Sequence, residues 1–312
     1  MAQKASTLSV SAAGERPPLT LTQLAWRRFR RHKMALFGAL LLILILLYVT
    51  AGAFIFSEKD ANRTDPRLGF TSPSTEHPFG TDRTGRDILA RTIYGGQISM
   101  IVGILAVVIS LILGILIGAF AGFYGGVVDG ILMRITEAIL NIPSLFLLIL
   151  ASKFFSNKIP TFAFLGRSFS GSVIVVIVII GLTSWMYLAR IVRADFLSLK
   201  EQEFITAARC VGVQDLGLIF RHILPNTIAP IVVSATLGVA NAILMEAYAS
   251  FLGLGIQPPT ASWGNMLDKA QPYLETAPWL WIFPGTLILL TVLSINFLGD
   301  GLRDALDPRA QI

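Results

Sequence analysis

The chain of 312 residues is 54% hydrophobic and only 14% charged, with a mean hydropathy of +0.69. Soluble domains carry about a quarter charged residues, because their surface faces water, so this composition excludes an ordinary soluble domain and points to a bilayer. The formal charge of +6 is already reached within residues 1–33, where seven Lys and Arg stand against Glu15, so it bears on membrane topology and not on nucleic acid.

Residues 1–25 are rich in Ser, Ala, Pro and Thr and are expected to be disordered. Arg27, Arg28, Arg30, Arg31 and Lys33 then precede the first apolar block, which places the N-terminus in the cytoplasm by the positive-inside rule. That block, 34–57, is too long for a cleaved secretory signal. Further blocks with few or no charges follow at 92–128, 138–152, 168–189, 223–245 and 277–299. About 20 helical residues cross about 30 Å of hydrocarbon. The third block reaches that length if it begins near Met133 and accepts Glu137. The second exceeds it, so its first residues are expected at the interface. These blocks predict an all-α polytopic membrane protein with six transmembrane helices and both termini cytoplasmic. The chain divides into a basic tail (1–33), a first helix (34–57), an external segment (58–96), a core of five further helices (97–302) and a cytoplasmic tail (303–312). Within the core, Gly122 to Asp129 and residues 190–225 are expected inside, and 153–167 and 255–278 outside.

The chain contains no phosphate-binding G-x-x-x-x-G-K-[ST] loop and no G-x-S-x-G elbow. His32, His77 and His222 are far apart in sequence, and Cys210 is the only cysteine, which excludes an intrachain disulfide and a cysteine-based metal site. The chain is therefore expected not to be an enzyme and to bind no metal or cofactor; energy from ATP would have to come through another polypeptide.

The longest internal polar stretch runs from Arg190 to about Pro225 on the cytoplasmic side, with the loop proper at about 194–225. Glu203 to Val211 contains good helix formers, Gly212 suits the left-handed residue that ends a helix, and Asp215 could cap a second helix leading to Leu224-Pro225. Ala207-Ala208 would offer a small, smooth docking face; a plain connecting loop is the alternative. Ala207-Ala208, Gly212 and Ile223-Leu224-Pro225 resemble the EAA signature of ABC importer permeases, with Thr206 in place of its acid and His222 in place of its first Ile. Further blocks resemble the C-type permeases of the dipeptide/oligopeptide/nickel group: Phe79 to Asp87, Gly122 to Gly126 with Asp129 and Arg134, Phe251 to Gly255 with Gln257-Pro258-Pro259 and Trp263-Gly264, and Gly299 to Pro308. With Trp26 to Lys33, they run in the family's order to the C-terminus.

The resemblance implies a type I importer permease in a bacterial or archaeal cytoplasmic membrane. Its implied partners are a B-type permease, two ATP-binding subunits that hold ATP and Mg, a substrate-binding protein outside, and membrane lipid. It also implies that Glu203, Thr206, Ala207, Ala208, Gly212, Asp215, Leu224 and Pro225 couple the chain to the ATPase. Asp82, Arg83, Arg86, Asp87 and Trp263 are candidates for contact with the binding protein; Thr81 or Asp82 could equally cap a short interfacial helix. Asn141, Asn241, Glu246 and Asn296 are polar residues within spans, where an ionisable group costs about 2.5 kcal/mol or more, and are candidates for the translocation path. A buried brace is the alternative for Glu246. Gly114, Gly118 and Gly122 form a small-xxx-small stripe for close packing within the subunit or against a partner. Di- or oligopeptide import is the expected function. Nickel, glutathione or an oligosaccharide are alternative cargoes, and a secondary transporter or channel using Glu246 and Glu137 as a relay is the rival class.

Overall fold

The computed structural model describes residues 20–155, 158–164 and 167–307. It begins with α1 (Leu21–Phe29), closed by a capping box in which the Thr20 side chain and the Gln23 side chain each accept from the other's backbone N–H. Residues 20–25 are thus ordered, contrary to expectation; residues 1–19 lie outside the described residues. α2 (Lys33–Ile55) follows after His32, whose Nδ1 accepts from the Ala35 N–H at 3.0 Å. Its buried residues are few, Ala35, Gly38, Ile45, Val49 and Gly52, and the rest of its apolar surface faces outward, as a helix at the edge of a bundle in lipid requires.

The segment expected outside carries α3 (Glu58–Asn62) and leads to α4 (Ile88–Tyr124), one unbroken helix of 37 residues. At 1.5 Å per residue that is about 55 Å, so both of its ends project beyond the hydrocarbon. Its long partner is α7 (Ser172–Leu199). Gly114, Gly118 and Gly122 face α7: a Cβ at Gly118 would lie 2.5 Å from the Ala189 carbonyl, and one at Gly122 would lie 2.5 Å from Phe196 Cβ. The glycine stripe therefore serves packing inside this subunit.

Gly125 and Gly126, with φ of 67° and 52°, turn the chain into α5 (Gly126–Leu140), and α6 (Ser144–Phe155) leaves it at 76°. The third span expected from near Met133 is therefore broken at residues 141–143. Pro143 has no N–H to donate and biases Ile142 away from helical geometry. Asn141 closes α5 by donating both its N–H and its Nδ2 to the Glu137 carbonyl. Beyond α6, β1 (Phe162–Phe164) and β2 (Arg167–Phe169) form a small antiparallel hairpin, the only paired strands among the described residues.

α7 continues past Arg190 to Leu199, so the polar stretch expected to begin at Arg190 is at first a helix projecting from the membrane. Lys200 Nζ donates to the Gly122 carbonyl at 3.0 Å, which caps the end of α4, and Arg193 pairs with Asp129 of α5. The chain then forms α8 (Glu203–Cys210) and the single turn α9 (Asp215–Gly217), passes through a π turn (Leu218–Ile223) and a 3-10 turn (Leu224–Thr227), and enters α10 (Ile228–Phe251). α11 (Trp263–Ala270) lies within the expected outer loop, and α12 (Trp279–Leu306) carries the last span into the tail. Pro308 lies outside the described residues. Among the described residues, five helices are long and apolar enough to span a membrane, and a sixth results when α5 and α6 are taken as one bent span.

Because the α4–α7 contact leaves no room at Gly118, Gly118→Ala should destabilise by about 1–3 kcal/mol through overpacking. Gly130→Ala, whose added Cβ meets nothing within 4 Å, should not. Thermal unfolding of the two variants in detergent checks both.

Candidate coupling and translocation site

At the cytoplasmic end, α8 begins at Gln202 with Glu203 in its first turn and Arg209 in its last, both favourable to the helix dipole. It ends at Gly212, whose φ is +87°. The Gly212 N–H donates to the Arg209 carbonyl at 3.0 Å and the Val213 N–H to the Ala208 carbonyl at 3.1 Å, the two bonds of a Schellman stop. Ile205 and Ala208 face inward and join Val192 and Phe196 of α7 and Leu218, Ile219 and Ile223 of the π turn. This apolar cluster clamps α8 to the projecting end of α7.

The opposite face of α8 is open. Glu203, Phe204, Thr206, Ala207 and Val211 are exposed, and Leu216 and Phe220 continue the surface beyond the turn. Ala207 and Ala208 therefore do not form one docking face: the 100° step between consecutive helical residues sends Ala207 out and Ala208 into the core. Asp215 is not a cap either. Gln214 holds the extended N-cap position and Asp215 stands in the first turn. Leu224 is half-buried and Pro225 exposed in the 3-10 turn. Pro225 contributes no N–H, so regular α geometry does not pass from α9 to α10.

Within the spans, a groove of about 560 Å³ runs between α4, α6, α7 and α10. Ser184 and Tyr187 of α7, and Ser234, Asn241 and Tyr248 of α10, contribute polar groups to it. Tyr187 is 71% and Tyr248 53% exposed. Polar groups turned out of a membrane helix need water or a protein partner, since lipid satisfies neither donor nor acceptor. Asn241, a candidate for the path, lines this groove. Asn141 is exposed at the α5–α6 break, three residues before the groove-lining Ser144 that begins α6. The other two candidates are corrected. Glu246 is 0% exposed: its Oε2 accepts from Ser99 Oγ at 2.9 Å and its Oε1 from Ser250 Oγ at 2.7 Å, so it braces α10 against α4. Asn296 is half-buried on α12, which packs on α2 and α10, and does not line the groove. Ser184, Tyr187 and Tyr248 also line the groove and are not among the residues expected from the sequence. The signal for α10 was available in the sequence, since Ser234, Asn241 and Tyr248 recur every seven residues on one helix face.

On the external side, Phe79 to Asp87 forms no helix. It folds as a turn closed by a bridge between Thr81 and Asp87. Asp82 Oδ1 accepts from Thr84 Oγ1 at 2.8 Å and from the Arg86 N–H at 3.0 Å, and Oδ2 pairs with Arg86 Nε at 2.7 Å. Asp87, not Thr81 or Asp82, caps the next helix, accepting from the Ala90 N–H at 2.9 Å while pairing with His77 at 2.7 Å. Arg83 is exposed. Trp263 is 0% exposed and donates its indole N–H to the Thr92 carbonyl at 2.8 Å, so it is a core anchor and not a surface for another protein.

Burial disfavours the Asp82 charge, but the Arg86 guanidinium and the hydrogen bonds from Arg86 and Thr84 outweigh it and hold the carboxyl below its usual range. A carboxylate whose folded pKa is depressed stabilises above its unfolded value of about 3.9, and that stabilisation disappears as pH falls through the folded pKa. Backbone amides of residues 80–88 should therefore lose exchange protection on acidification below about pH 4, and Asp82→Asn should weaken protection already at neutral pH, by about 1–3 kcal/mol. At the other end, Gly212→Ala should cost about 1 kcal/mol through backbone strain alone, because its Cβ would meet nothing within 4 Å; thermal unfolding measures it.

Comparison with known proteins agrees with this fold. Residues 114–312 match the family model described as binding-protein-dependent transport system inner membrane component, and residues 20–73 match that of the N-terminal TM domain of oligopeptide transport permease C. The chain is 43% identical to the oligopeptide transport system permease protein OppC of Escherichia coli (strain K12) over 93% of its length and 92% of the relative's. It is 40% identical to the dipeptide transport system permease protein DppC of Alkalihalophilus pseudofirmus over 91% of its length and 89% of the relative's. A solved structure of the MetNI methionine ABC transporter in inward-facing conformations shares the fold, with a TM-score of 0.53, 18% identity, 68% of this chain covered and 94% of that one. The chain belongs to the family of inner-membrane permease components of binding-protein-dependent ABC transport systems.

Proposed function

We propose that this chain is one of two membrane-spanning subunits of an ATP-driven importer for di- and oligopeptides, paired with a B-type permease and driven by two separate ATP-binding subunits. It binds no cofactor and no nucleic acid; ATP and Mg sit on the ATPases, and an external binding protein delivers the substrate. The observation that carries this reading is the two-faced α8: its inner face is locked to α7 through Ile205, Ala208 and Phe196, while its outer face presents Phe204, Ala207 and Val211 to the cytoplasm. A push on that outer face reaches α7 and, through the turns around Pro225, α10. Those helices carry Tyr187, Asn241 and Tyr248 of the groove. Movement at the ATPase is thereby geared to the lining of the path between the two permeases. The peptide assignment rests on the names of the relatives, and the ligand of the cognate external protein separates peptides from nickel, glutathione and oligosaccharide.

A secondary transporter relaying protons through Glu246 and Glu137 has less support. Ser99 and Ser250 occupy Glu246, and Glu137 lies 3.8 Å from both Arg134 and Arg190.

Ala207→Arg tests the coupling without touching the core. The four-subunit complex should still assemble, while peptide uptake and substrate-stimulated ATP hydrolysis each fall about tenfold, equivalent to about 1.4 kcal/mol. Normal values of both in the assembled variant would show that α8 does not couple.

A further inference from the structure

Beneath the external turn, between the heads of α4 and α12 and the flank of α11, lies a cavity of about 320 Å³. Arg83, Arg86, Arg91 and Lys269 line it, against Asp82 and Asp268. Both acids are already engaged, Asp82 by Arg86 at 2.7 Å and Asp268 by Lys269 at 2.8 Å. That leaves two cations, Arg83 and Arg91, with no carboxylate within ion-pair distance among the described residues; Arg91 meets Asp82 only as a more distant charge. Arg91 is the decisive one, because it is only 7% exposed. Its Nη1 donates to the Ala61 carbonyl at 3.4 Å and to Asn62 Oδ1 at 3.3 Å, long bonds to neutral acceptors. A guanidinium taken this far out of water is costly unless an anion shares its site, and its planar fork suits a carboxylate or phosphate. Beside it, Ile88, Met266 and Leu280 form an apolar wall.

We propose that this cavity binds an organic oxyanion, a carboxylate or phosphate joined to an apolar body, with the anion on Arg91 and Arg83 and the apolar body against Met266 and Leu280. The site is separate from the groove between α4, α6, α7 and α10 and does not rest on the transport reading. Its occupant comes either from the aqueous space outside, as a free carboxylate, or from the outer leaflet, as a phospholipid headgroup.

The test uses the purified complex in phosphatidylcholine nanodiscs, titrated with N-acetylphenylalanine as its carboxylate and with the neutral N-acetylphenylalaninamide, while thermal unfolding is followed. The carboxylate should raise the unfolding midpoint saturably and the amide should not. Arg83→Gln should weaken the apparent affinity about tenfold, and Arg91→Met should abolish the effect; if Arg91→Met fails to fold, Arg83→Gln decides. In nanodiscs containing phosphatidylglycerol, loss of carboxylate binding assigns the site to a lipid headgroup, and unchanged binding assigns it to a free anion. Equal stabilisation by the amide, no response to the carboxylate, or wild-type affinity in Arg83→Gln overturns the proposal.

Discussion

The close approach of α4 and α7 is the contact on which the rest of the molecule depends. Three glycines one turn apart remove the side chains that would hold the two helices at ordinary spacing, and Leu188, Ala189, Val192 and Phe196 fill the space. In a bilayer this matters more than in water, because lipid tails are as apolar as leucine and helices are held together by packing, not by exclusion from solvent. The contact runs to the cytoplasmic ends of both helices, where Lys200 caps α4 and Arg193 ties α5. α7 thus leaves the membrane as a supported rod, and Val192 and Phe196 on its projecting end hold the inner face of α8.

Polar groups within the bundle divide by whether the chain satisfies them itself. Glu246, Ser99 and Ser250 satisfy one another and are closed to solvent, so they brace the spans at the level of Trp263. Tyr187, Asn241 and Tyr248 point outward into the groove and need something the chain does not supply. That division separates brace from groove, and burial decides it more directly than chemical type: the carboxylate, the most costly group to place in a membrane, belongs to the brace. At the outer surface the same reasoning separates Asp82, whose oxygens are met by Arg86 and Thr84, from Arg91, which is held by two long bonds to neutral acceptors.

Secondary structure follows the same economy of backbone hydrogen bonds. At four points where the chain leaves regular helix geometry, a residue that cannot donate or a left-handed residue stands: Pro143 at the break between α5 and α6, Gly125-Gly126 at the turn after α4, Gly212 after α8, and Pro225 before α10. Three of these four points lie around the cytoplasmic ends of α4, α7 and α10, so the bends concentrate where the helices would have to move relative to one another.

The membrane class, the number of apolar blocks and the helix stop at Gly212 were legible in the sequence because each depends on local composition or on one residue's backbone freedom. The motif blocks likewise carried the family, and with it the fold. Tertiary structure alone decided the direction in which side chains point. It separated Ala207 from Ala208, buried Trp263 and Glu246 and kept Asn296 out of the groove, because in a chain apolar all round the hydrophobic pattern no longer tells a buried face from a lipid-facing one. It also turned a third span into two helices, since a proline near the end of an apolar block is compatible with a kink as well as a break, and only the neighbours' packing chooses between them.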